Sequence, residues 1–112
     1  MHGFQLTFFT QLGRTHGLWS IAEWILREAK KLNIKGATVS LAQGGYGRDG
    51  EYHTSRFFKL AGRPIEITMA VSPENAEQLF AVINEAGLKI FYMKIPVEYG
   101  VTGQNQPERT IL

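Results

Sequence analysis

An α+β fold in which strands and helices follow the order β-α-β-β-α-β is predicted by three observations. Four stretches alternate apolar and polar residues with period two, two stretches repeat them every three or four residues, and helix-start and helix-stop residues punctuate the joins. In GFQLTFFT, Phe4, Leu6 and Phe8 alternate with Gln5 and Thr7, the pattern of a strand with one buried face that ends near Thr10. In GLWSIAEWILREAKKLNI, Leu18, Ile21, Ala22, Ile25, Leu26, Ala29 and Leu32 form an apolar stripe, while Glu23, Arg27, Glu28, Lys30 and Lys31 fill the other side of a helix. Ser20 and Glu23 have capping-box spacing, but Leu18 already fits the stripe, which allows a start one turn earlier.

Alternation returns after Gly36 through Ala37, Val39 and Leu41, a second strand that runs into glycines. Pro64 opens a third, in which Ile65, Ile67, Met69 and Val71 alternate with Glu66, Thr68 and Ala70. The second helix carries the clearest local signals: Ser72 as N-cap, Pro73 at the first helical position, Glu74 in the first turn and Gly87 just past the end. Its stripe is Ala76, Leu79, Phe80, Ile83 and Ala86. LKIFYMKIPVEY supplies the fourth strand, with Pro96 near its end or on an edge. This is the split βαβ order of ferredoxin-like folds, a four-stranded antiparallel sheet with two helices on one face. Residues 1–100 form this domain and residues 101–112 a C-terminal tail.

The opposite sheet face would carry Thr7, Phe9, Thr68, Ala70, Phe91 and Met93, too apolar in places to sit in water, and so predicts self-association. With 112 residues, 44% of them hydrophobic and 20% charged, the chain is sized for one globular core. A net charge of +2 gives no broad footprint for nucleic acid, and the absence of cysteine removes disulfides, thiolate catalysis and thiolate-bound zinc. Neither a signal peptide nor a run of about 18 apolar residues is present, so the expected location is cytoplasmic.

Gly45-Tyr46-Gly47-Arg48-Asp49-Gly50 is a literal G-x-G-x-x-G. A dinucleotide fingerprint must follow a strand and open a helix, whereas this one follows a strand and enters a polar loop, and no phosphate-loop lysine motif is present. The glycines still permit positive φ and close backbone approach, so successive N–H groups can form a nest for anionic oxygens. Arg48, His53 and Arg56 lie in the same excursion, residues 44–63, which at about 20 residues far exceeds a hairpin turn and belongs to a length class used for function or left disordered.

The segment GATVSLAQGGYGRDGEYHTSRFFKLAGRPIEITMAV resembles the PII-like proteins of a domain-of-unknown-function group, with Gly36 to Val39, Gly45-Tyr46-Gly47, His53-Thr54-Ser55-Arg56 and Pro64 matching in order. The resemblance spans roughly residues 3–95. The chain departs from the pattern at Gln11 and Gly13, where the family often has acidic residues before the arginine equivalent to Arg14, and at Leu41-Ala42, where it tends to have Arg-Gly. GLKIF followed by PVE is similar to the last turn and strand of PII signalling proteins, which places Lys89 at a phosphate-approaching position.

What the resemblance implies is a homotrimeric signalling or regulatory protein, not an enzyme, that binds an adenine nucleotide (ATP, ADP or AMP) in clefts between subunits. Gly45 and Gly47 would give backbone approach, Arg48, Arg56 and Lys89 would neutralise phosphate, and His53 would fix the loop or touch the ligand. Residues 44–63 would respond to the ligand and contact a partner, a membrane transporter or a regulated enzyme in this broader group. No cofactor is required and no metal residue is assigned. The alternatives are a trimeric metal-binding protein of the copper-tolerance kind, with His53 meeting a neighbour, and a small enzyme using Glu66 or Glu98. An RNA-binding module of this topology would need stacking aromatics on the third strand, and IEITMAV has none.

Overall fold

The computed structural model describes residues 1–46, 52–54 and 62–103, with Tyr52–Thr54 described by their backbone. Its elements are β1 (His2–Gln11), β2 (Thr15–His16), β3 (Trp19–Ser20), α1 (Ile21–Lys31), β4 (Thr38–Leu41), β5 (Gly44–Tyr46), β6 (Tyr52–Thr54), β7 (Pro64–Val71), α2 (Pro73–Glu85) and β8 (Phe91–Glu98). β4, β7, β1 and β8 form one antiparallel sheet in that order, so each helix connects two parallel strands across an intervening antiparallel one. This is the ferredoxin-like α+β architecture expected from the element order.

Even-numbered β1 residues and odd-numbered β7 residues share the helix side, as the pairings Leu6↔Met69 and Phe8↔Ile67 require. There Leu6, Phe8, Ile67, Ile25 and Leu79 are fully buried and form the core with Ile21, Ala29, Ile65, Val71, Ala76 and Ile83. Phe80 extends the core toward β8, with ring centroids 5.7 Å from Phe8 and 4.6 Å from Tyr92. Val39 and Leu41 also point to this side, yet each is 44% exposed, because β4 is the sheet edge farthest from β8 and lies beyond the helix cover.

α2 begins as its local chemistry dictates. The Ser72 hydroxyl accepts from the Asn75 amide at 3.1 Å, Pro73 needs no partner at N1, and Gly87 takes φ 71° past the C-cap. α1 starts at Ile21, with the Ser20 hydroxyl accepting from the Glu23 amide at 3.1 Å. Leu18 therefore lies outside the helix, 96% exposed in the short β2–β3 ribbon, whose turn places Gly17 at φ 62°. The Ser20 N-cap outranks the periodicity of Leu18. The Arg27 guanidinium stacks 3.9 Å above the Trp19 ring, and His16 meets Trp24 edge-on at 5.1 Å, fastening the ribbon to the helix.

Candidate functional site

Strand direction decides which loops meet. β1 and β4 finish, and β7 and β8 begin, at the same end of the sheet. The connections 12–20, 42–63 and 86–90 therefore converge there. Hydrogen bonds tie them together: the Leu12 amide donates to Arg63 O at 3.0 Å, the Ala42 amide to Pro64 O at 2.9 Å, and an Arg14 guanidinium nitrogen to Lys89 O at 3.1 Å. Arg63 closes the base of the excursion by donating from Nη2 to Ala42 O at 3.2 Å.

Gly45 lies in β5, where its Cα pairs with that of His53 in β6, so the first part of the excursion is a two-stranded ribbon. Lys89 is exposed at the converging end, and its carbonyl is held by Arg14. The topology thus brings Gly45, the His53 backbone and Lys89 to one end of the sheet. Gly47, Arg48 and Arg56 lie outside the described residues. Arg14 and Arg63 are two cations at this end that sequence reasoning did not assign to the site. The signals for them were the Arg14 position within the family pattern and a basic residue directly before Pro64, where the long excursion closes.

A second feature lies toward the opposite end, on the uncovered sheet face. A cleft of about 500 Å³ is lined by Gln5, Gly36, Ala37, Thr38, Thr68, Met69, Ala70, Val97 and Tyr99. Polar strand residues floor it, and the hydroxyls of neighbouring Thr7 and Thr68 are 3.4 Å apart beside it. On the same face, across β1, Phe91, Met93 and Ile95 are 51%, 46% and 43% exposed, and the Phe91 ring leans on Phe9 at 5.5 Å. The face is polar over β4 and β7 and apolar over β8.

His2 and His16 sit on separate elements, and no group of three His, Cys, Asp or Glu residues among the described residues is arranged to hold a metal ion. No described helix is long and apolar enough to cross a membrane.

The sheet order and the two helices on one face superpose on solved structures of PII-like proteins. A solved structure from Thermus thermophilus, assigned as a PII-like signalling protein, superposes with a TM-score of 0.58 at 20% identity, covering 86% of this chain and 89% of that one. Two structures of CPII, a nitrogen regulatory PII-like protein from Thiomonas intermedia bound to ADP, AMP and bicarbonate, superpose with TM-scores of 0.59 and 0.64. Their identities are 20% and 17%, and the matches cover 87% and 89% of this chain and 89% and 97% of those chains. The chain belongs to the DUF190 family, described as "Uncharacterized ACR, COG1993", whose model matches residues 3–95. Among curated proteins none matches it.

Proposed function

We propose that the protein is a homotrimeric PII-like regulator that binds an adenine nucleotide between subunits and reports occupancy through residues 44–63. The observation that carries this is the convergence of Arg14, Arg63, Lys89 and the Gly45 ribbon at the end of the sheet from which the excursion leaves. Cations on three connections, at the end of the sheet from which a glycine-rich strand leaves, suit the charge and size of a nucleotide's phosphates. The CPII structures bound to ADP and AMP support the ligand class. Half-exposed Phe91, Met93 and Ile95 support the trimer, because an apolar strip on an otherwise polar face is removed from water when copies pack sheet to sheet.

In this scheme the phosphates lie against Lys89 and the ribbon, and the neighbouring subunit closes the other side. Arg48, Arg56 and His53 contact the ligand as well, and that contact energy drives the response of residues 44–63. The regulated partner is a membrane transporter or an enzyme, the location is the cytoplasm, and the protein performs no catalysis of its own. The test is calorimetry with ATP, ADP and AMP on wild type and Lys89→Ala. Saturable heat with at least one nucleotide, weakened about tenfold or more by loss of a phosphate contact, is expected. Absence of heat with all three nucleotides would refute the assignment.

A further inference from the structure

The side-on edge of an arginine, Nε with Nη2, is a fork of two parallel N–H donors shaped for two oxygens of one oxyanion. In Arg63 this edge is half used. Nη2 donates to Ala42 O at 3.2 Å, while Nε is buried with no hydrogen-bond partner among the described residues. A peptide carbonyl supplies a single oxygen, so Ala42 cannot satisfy both donors at good geometry. Buried donors of a charged group left unmade are costly and rare, so this one calls for a physical explanation. Nearby on β1, where Thr10 pairs with Ile65, the Thr10 hydroxyl is likewise buried and unpartnered among the described residues, so two donors in this region want an acceptor.

Position gives the mismatch a consequence. Arg63 stands at the last residue before β7, its carbonyl receives the Leu12 amide, and its guanidinium grips the residue that follows β4. The residue is only half-buried, so the guanidinium has a route to solvent. We propose that Arg63 is a phosphate-binding residue that exchanges Ala42 O for two oxygens of a ligand phosphate, and that this exchange transmits occupancy to the ribbon beginning at Gly44. The inference rests on the nucleotide assignment above and adds to it the residue that links binding to the excursion. With ligand absent, Arg63 pins the end of β4 to the base of β7. With ligand bound, Ala42 O is released and the Ala42–Gln43 backbone at the base of the ribbon loosens. Lysine keeps the charge without the fork, so Arg63→Lys separates two-point recognition from simple attraction.

The experiment combines ADP calorimetry on wild type, Arg63→Lys and Arg63→Gln with amide hydrogen exchange at residues 42–43 of the wild type, with and without ADP. Expected are an affinity at least tenfold weaker in both variants and faster exchange at 42–43 of the wild type on ADP binding. Equal affinity in Arg63→Lys and wild type would overturn the proposal while leaving the nucleotide assignment standing. Unchanged wild-type exchange at 42–43 on saturation with ADP would overturn it without recourse to a variant. Lack of ADP, ATP and AMP binding by wild type would overturn the assignment and the Arg63 proposal together.

Discussion

The two faces of the central sheet come from the same alternation of residues and differ in what covers them. On one, Leu6, Phe8, Ile67 and Met69 lie beneath α1 and α2 and are essentially lost to water. On the other, Phe91, Met93 and Ile95 keep about half their surface, and the polar residues Thr38, Thr68 and Gln5 line an open cleft. The first face makes the chain fold. The second leaves an apolar strip in water, and in the proposed trimer its split into an apolar half and a polar half suits packing on a copy along β8 rather than burial throughout.

Substitutions on the two faces should therefore fail in different ways. Phe8→Ala removes a ring that is 1% exposed and packed on Phe80, which costs about 3–5 kcal/mol of folding stability. A urea midpoint close to wild type would show that the covered face is not the core. Met93→Glu acts on the other face: a carboxylate trapped between packed sheets without a partner costs on the order of 3 kcal/mol per copy, so the assembly should dissociate. Its far-ultraviolet dichroism should stay that of the wild type, since Met93 is exposed in the single chain.

Gly3→Ala probes the end where the N-terminus meets Tyr99. A Cβ on Gly3 would run into the Val71 carbonyl oxygen and touch the Tyr99 ring, and both Met1–Tyr99 backbone hydrogen bonds, 2.9 Å each, hold that arrangement shut. Overpacking against backbone predicts a loss of about 1–3 kcal/mol, read as a lowered thermal midpoint. Smallest is Ser72→Ala, which removes the cap on α2 and should cost about 1 kcal/mol in the same assay without altering oligomeric mass.

What was legible in the sequence follows from range. α2 could be placed to within a residue because Ser72, Pro73 and Gly87 act on their own backbone, and β7 because four apolar residues alternate after Pro64. The fold class followed from element order alone. The start of α1 was open because Leu18 fits the stripe by spacing, and only the ribbon and the Ser20 cap exclude it. Two-residue strands such as Thr15–His16 are too short to show any period. Among the candidate residues, Lys89 and Gly45 stood out through motifs, and both lie at the converging end of the sheet. The contacts of Arg14 and Arg63 were hidden because their partners are carbonyls of residues far away in sequence, and every residue carries a carbonyl.

The contrast between a finished face and an unfinished one is tested most directly by the solution mass of the wild-type protein, measured by light scattering on a size-exclusion column. The account predicts three times the 12.6 kDa mass of the chain. A single species at 12.6 kDa would contradict it, because the uncovered face and any cleft between subunits would then stand open to water.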